Sequence, residues 1–194
     1  LGEIFLDYKK HERKPKKEIM KDNTNQAKLS ICCTIEDMTK YERDYVLNLY
    51  NIILGGSSDS KFFKNIREKY SLCYYAVTRA KKADNILMIS SGINKENYSK
   101  MLFLIEKEMK DMIKGKFDLE DIEKAKEYCY AGLKEIEDTQ EQIIASFYAV
   151  DKLNSGALEK RKEMLSKVTK EEIIELAKKV YIDSIFLLGG GKKW

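Results

Sequence analysis

Arg67 stands seven residues before Tyr74 in the stretch LGGSSDSKFFKNIREKYSLCYYAV, residues 54–77. The stretch opens with glycines and serines, passes into a basic helical pattern and closes as an aromatic strand. Three chemistries use such residues. Gly55-Gly56-Ser57-Ser58 has the composition of a phosphate cradle, but neither G-x-x-x-x-G-K-[ST] nor G-x-G-x-x-G is present. These glycines also follow a helical pattern, whereas phosphate loops follow a strand. Tyr74 and Tyr75, interleaved with Lys69, have the rings to stack nucleic-acid bases, but the ribonucleoprotein pattern is absent and ordinary strand packing explains them. The third reading makes the stretch half of an active site whose other half lies elsewhere.

The remaining reactive residues do not complete a site. His11 is the sole histidine, and Glu12 follows it. A zinc peptidase helix needs two histidines one turn apart, and serine or cysteine hydrolysis needs an imidazole base. His11 reads as a surface residue. The four cysteines, Cys32, Cys33, Cys73 and Cys129, form no C-x-x-C pair. They read as small buried thiols of a reducing compartment rather than as a disulfide framework or a zinc site. No metal site and no cofactor is expected in this chain.

The chain has 194 residues, 43% of them hydrophobic and 35% charged, with a net charge of +4. That is enough for a sizeable core under a heavily charged surface. Residues 1–21 hold seven basic and four acidic side chains, so they carry most of the excess. They contain the only proline, Pro15, and read as a linker or leading segment with a short strand at Glu3–Asp7. Nucleic-acid binding would require the excess on a folded face, so it is not expected. No apolar run approaches the ~20 residues that span a bilayer, so no membrane partner is expected, and the location read is cytoplasmic. Leu1 in first place reads as a fragment or a processed chain.

The elements that must position Arg67 and Tyr74 follow from periodicity. AKLSICCTI, residues 27–35, is apolar, small or β-branched, as in a strand covered on both faces. Tyr45, Val46, Leu49, Ile52 and Ile53 make one helical stripe, ending at Gly55-Gly56 where a left-handed cap is cheap. A short helix over Asp59–Tyr70 turns Phe62, Phe63 and Ile66 inward. LCYYAVTRA (72–80) and ILMISSGI (86–93), joined by KKADN, form an antiparallel hairpin, with one of Tyr74 and Tyr75 facing the core. Helical spacing then runs through residues 98–112 and 119–136, past Ile143, Ile144 and Phe147, and past Leu158, Leu165 and Val168. Thr169 with Glu172 makes a capping box for a last helix, and SIFLLGGG closes as a strand. The expected class is α+β, a mostly antiparallel sheet with helices packed on one face, as one domain over residues 22–194.

ILGGSSDSKFFKNIREKYSLCYYAV closely resembles the C-terminal-type domain of the pitrilysin/insulinase family of zinc metallopeptidases. The family pattern is a helix followed by L-G-G-x-x-S-S-x-L-F-x-x-[IL]-R-E-x-x-x-L-x-Y. Leu54, Gly55, Gly56, Ser58, Ser60, Phe63, Ile66, Arg67, Glu68, Leu72 and Tyr74 match in order, with one residue of spacing allowed before the phenylalanine. Lys61 or Phe62 stands where the family has leucine. A T-x-E-[ED]-I-like segment at residues 169–179 falls in the family's order too, and the resemblance covers about residues 22–191. It implies a half-domain that faces a zinc-bearing domain outside this chain, with peptide as substrate. Arg67 would then bind a substrate backbone carbonyl, and Tyr74 would donate to the developing oxyanion, a role worth roughly 3 kcal/mol of barrier. The partner would be that zinc-type domain or a subunit of the same family, with zinc on the partner, and this chain would be inactive alone. Some family members lack the zinc motif, which leaves a non-catalytic, peptide-holding subunit as the alternative.

Overall fold

The computed structural model describes residues 14–22, 26–136, 140–153 and 157–189. Its centre is a five-stranded sheet of β1 (Lys16–Met20), β2 (Ala27–Ile35), β3 (Cys73–Lys81), β4 (Ile86–Ile93) and β5 (Val180–Leu188). The spatial order is β1-β5-β2-β4-β3. Only β1 and β5 pair in parallel; the other neighbours are antiparallel. The α+β class with a mostly antiparallel sheet is therefore as expected.

Alternation along the strands decides which face is covered. Leu29, Ile31, Cys33, Leu87, Ile89, Ser91, Ile93, Ile185 and Leu187 are buried. Their neighbours Ser30, Cys32, Met88 and Ser90 are only half-buried, as period-two side-chain placement requires of a sheet clad on one face. Cys33 thus lies in the core while Cys32 takes the other face, and all four cysteines are free thiols. Burial pushes the Cys33 thiol upward.

The helical layer begins with one continuous run over residues 42–56. It is made of a wide, π-helical turn Glu42–Val46, α1 (Leu47–Asn51) and a second π-helical turn Ile52–Gly56. The left-handed glycine cap expected here does not form. Gly55 and Gly56 stay inside the helical run, and Ser57 leaves it in an extended conformation. Space, not φ, explains Gly55. A Cβ there would meet Phe62 Cδ2 and Thr78 Cγ2 at 2.8 Å and the Thr78 nitrogen at 3.1 Å. The helix therefore presses directly on β3, and Thr78 Oγ1 donates to the Asn51 carbonyl at 3.0 Å across the same contact.

The hairpin turn is as expected, with Asn85 in the left-handed region. Beyond it come α2 (Tyr98–Ile113), α3 (Leu119–Glu135), α4 (Gln140–Leu153), α5 (Leu158–Lys167) and α6 (Lys170–Ala177). The Thr169–Glu172 capping box is present in both directions, and a second one joins Asp118 to Asp121. On α4, Ile144 and Phe147 are exposed. β5 opens at Val180, ahead of the SIFLLGGG stretch expected as the closing strand.

The segment read as a linker, residues 1–21, contains β1, so it contributes a strand to the sheet. All five residues of β1 are exposed. Backbone pairing with Ser184–Leu188 holds it, and KKEIM carries no buried face for periodicity to reveal. The strand expected at Glu3–Asp7 lies outside the described residues. Among the described residues, no helix is long and apolar enough to cross a membrane.

Candidate functional site

Arg67 is carried by a short π-helical segment, Phe63–Glu68. Phe62 and Ile66 are fully buried and anchor it to the core. A polar clamp fixes its other side. The Glu108 carboxylate on α2 is 1% exposed. It accepts from Asn65 Nδ2 at 3.0 Å and pairs with Lys61 Nζ at 3.1 Å. Lys61 Nζ also donates to the Lys116 carbonyl at 2.9 Å. A buried carboxylate is tolerable because these partners satisfy it. Arg67 itself projects outward, with its guanidinium 4.8 Å from the centre of the Phe63 ring. That is within cation–π range.

The helix ends where the chain turns into β3. Ser71 adopts a positive φ of 50°, and its N–H donates to the Arg67 carbonyl at 3.0 Å. A non-glycine residue in this region carries about 1 kcal/mol of strain or more, a cost met by the buried Ile66 and Leu72 on either side. The junction thus fixes the arginine against the first residues of the strand.

There the register shifts. Cys73 pairs with Ile93 and Tyr75 with Gly92, so Tyr74 is the extra residue of a β-bulge. A bulge interrupts alternation and re-aims the residue it inserts. Tyr74 is consequently 68% exposed and Tyr75 38% exposed. The expectation that one of the two faces the core therefore fails. The Tyr75 ring reaches to where a Cβ on Gly92 would be 2.8 Å from Cε1; only a glycine leaves room for it there.

These residues border a hollow of about 790 Å³ between β3, the helical run 42–56 and α3. Arg67, Tyr75 and Arg79 line it, as do Gly55, Gly56 and Gly132. The structure therefore brings Arg67 together with Tyr75, while Tyr74 is not part of the lining. Both predicted site residues, Arg67 and Tyr74, are exposed. Sequence reasoning missed Tyr75 and Arg79. Their signal was the alternation Tyr75, Val77, Arg79 along β3.

The hollow offers donors and apolar walls but no activated nucleophile. Burial pushes the Cys129 thiol up to about 11, and the nearby Lys82 ammonium offsets only part of this. Burial also raises Cys73, with a Ser91 hydrogen bond and the Arg67 charge acting in the opposite direction. Among the described residues, no three His, Cys, Asp or Glu side chains are grouped to hold a metal ion. His11 lies outside them, so the residues in view do not fit a zinc centre. What the arrangement can do is hold a polar chain.

A sequence profile of the Peptidase M16 inactive domain matches residues 3–129. The chain is 31% identical over 192 residues to the Bacillus subtilis (strain 168) protein named "Probable inactive metalloprotease YmfF", covering 98% of this chain and 45% of that protein. A conserved protein from Enterococcus faecalis V583 superposes with a TM-score of 0.88 at 25% identity, again covering 98% of this chain and 45% of the other. The fold also matches the peptidase M16 inactive domain from Pseudomonas fluorescens, with a TM-score of 0.75 at 19% identity over 92% of this chain and 44% of that one. The chain thus spans less than half the length of these relatives. With the profile running through the Arg67–Tyr74 junction and the relative matched along almost the whole chain, this protein belongs to the family of peptidase M16 inactive domains.

Proposed function

We propose that this chain is the peptide-holding half of a metalloprotease-like assembly, with Arg67 gripping the backbone of a peptide laid in the hollow beside β3. The observation that carries this reading is the position of Arg67. It is exposed, lines a hollow of about 790 Å³ and forms no ion pair among the described residues. A planar fork of fixed charge suits peptide carbonyls. Tyr74, standing off the bulge, is free to donate its hydroxyl to a group presented by a facing half. In an assembly that cleaves peptides, that group is the oxyanion, and the bond-breaking machinery, zinc included, belongs to the partner. The location proposed is cytoplasmic.

A second reading keeps the grip and drops the chemistry: the assembly binds peptide without cutting it. The name of the Bacillus relative, a probable inactive metalloprotease, favours it.

The shared claim is tested by fluorescence anisotropy with labelled unstructured peptides. A Cβ on Gly132 meets nothing within 4 Å, so Gly132→Phe should place a ring in the hollow and abolish binding. Arg67→Ala should weaken binding roughly tenfold or more, the usual worth of a charged hydrogen bond. Binding unaffected by both changes overturns the reading. Cleavage by the chain alone, with stoichiometric zinc, overturns it as well.

A further inference from the structure

Residues 75–79 are five consecutive residues of β3, and all five line the same hollow. Successive side chains of a strand point to opposite faces. A hollow touched by both sets must therefore run along the edge of the strand, here for about 17 Å at ~3.4 Å per residue. Among the described residues, β3 is the last strand on its side of the sheet and pairs only with β4. Among the described residues, no backbone hydrogen bond joins its outer edge to another segment. An unpaired strand edge is a row of alternating donors and acceptors, a template for one more strand.

We propose that this edge takes an extended peptide as an added strand and that Arg79 selects a peptide carrying a carboxylate side chain opposite it. The inference rests on the peptide-holding reading above and names the kind of peptide. Charge decides the occupant. The lining contains Arg67 and Arg79 and, among the described residues, not one Asp or Glu. Arg79 forms no ion pair among the described residues. A concave surface with unpaired guanidinium groups concentrates anions, and a carboxylate matches the guanidinium fork.

Register gives the pattern. Tyr75, Val77 and Arg79 are exposed on one face of β3, while Ala76 and Thr78 are buried on the other. An added strand places its side chains directly opposite those of β3. The residue facing Arg79 is therefore acidic, and those facing Val77 and Tyr75 are β-branched or aromatic. A phosphodiester chain fits less well, because it has no donors to meet the carbonyls of the edge. A second copy of the chain is disfavoured because it would bring two arginine-bearing edges together.

Three labelled nine-residue peptides of alternating threonine and valine, with Glu, Gln or Lys replacing one valine, provide the test. The Glu peptide should bind roughly fivefold tighter than the Gln peptide, with the Lys peptide weakest. The Glu-to-Gln ratio should fall to about one in Arg79→Gln. N-methylation of the amides on one edge of the Glu peptide should remove binding. Equal affinity for Glu and Gln peptides, a preference that survives Arg79→Gln, or indifference to N-methylation overturns the proposal. So does self-association through β3 that the Glu peptide cannot compete away. If Gly132→Phe blocks all three peptides and Glu and Gln still bind alike, only this inference falls. If Gly132→Phe blocks none of them, the peptide-holding reading falls too.

Discussion

Gly55 and Gly132 both lie in helical segments, and the same change at each should act in opposite directions. Removing a glycine from a helix interior gains about 1 kcal/mol of propensity. At Gly132 nothing lies within 4 Å of the new Cβ, so Gly132→Ala should realise the whole gain. At Gly55 the methyl would meet two side-chain carbons at 2.8 Å and the backbone nitrogen of Thr78 at 3.1 Å. Phe62 is fully buried and Thr78 is tied to Asn51, so neither can retreat cheaply. Overpacking of this kind costs about 1–3 kcal/mol, and contacts on two held side chains and a backbone atom put Gly55 in the upper part, about 2–3 kcal/mol. After subtracting the propensity gain, Gly55→Ala should lose about 1–2 kcal/mol. The two variants should therefore differ by about 2–3 kcal/mol. With a urea slope of about 2–3 kcal/mol/M, that is a midpoint difference of about 1 M. Urea unfolding followed by far-UV circular dichroism reads it directly. A Gly55→Ala midpoint at or above that of the unaltered protein would refute the claim that helix and β3 touch at van der Waals limits.

Three further perturbations probe the supports of the site. Glu108→Ala removes the buried acceptor of Asn65 and Lys61 and should cost about 2–4 kcal/mol; a double-mutant cycle with Lys61→Ala should show coupling above about 1 kcal/mol by urea unfolding. Thr169→Ala removes an observed capping box and should cost about 1 kcal/mol, measured as a lower thermal midpoint. Hydrogen bonds from Lys107 and Lys116 hold the Asp111 carboxyl down at about 2 against the pull of partial burial. A depressed folded-state value means stability that is present above the unfolded value near 4 and lost as the pH falls toward 2. The penalty of Asp111→Asn should accordingly be constant from pH 5 to 8 and shrink below pH 4 in urea titrations.

Much of this architecture is legible from periodicity, because burial on one face writes itself into the chain. β2 was readable to the residue, since Leu29, Ile31 and Cys33 had to be covered. The Thr169 cap was readable because its chemistry is local. Three features were not. KKEIM in β1 buries no side chain, so its membership in the sheet depends on pairing with a strand more than 150 residues away. The widened turn at 52–56 reflects where the helix meets β3, a tertiary contact that no helical spacing records. The bulge at Tyr74 moves one phenol relative to its neighbour. Alternation assumes unbroken pairing, so it turned one of Tyr74 and Tyr75 toward the core, where neither lies. Arg67, set by the inward Phe62 and Ile66, was legible as an outward residue; which tyrosine shares its hollow was not.

The strand order has a consequence for how the molecule comes into being. β5 occupies the position between β1 and β2, yet it is the last of these five strands to be synthesised. β2, β4 and β3 can associate early, but residues 94–179 must be made before their open flank is filled. At 5–20 residues per second this is a wait of roughly 5–15 s. During that interval the hydrogen-bonding edge of β2 is bare, and β1 lacks its partner β5. Nascent chains of this design are therefore most vulnerable to mispairing before β5 emerges, and chaperone protection would matter most in that window.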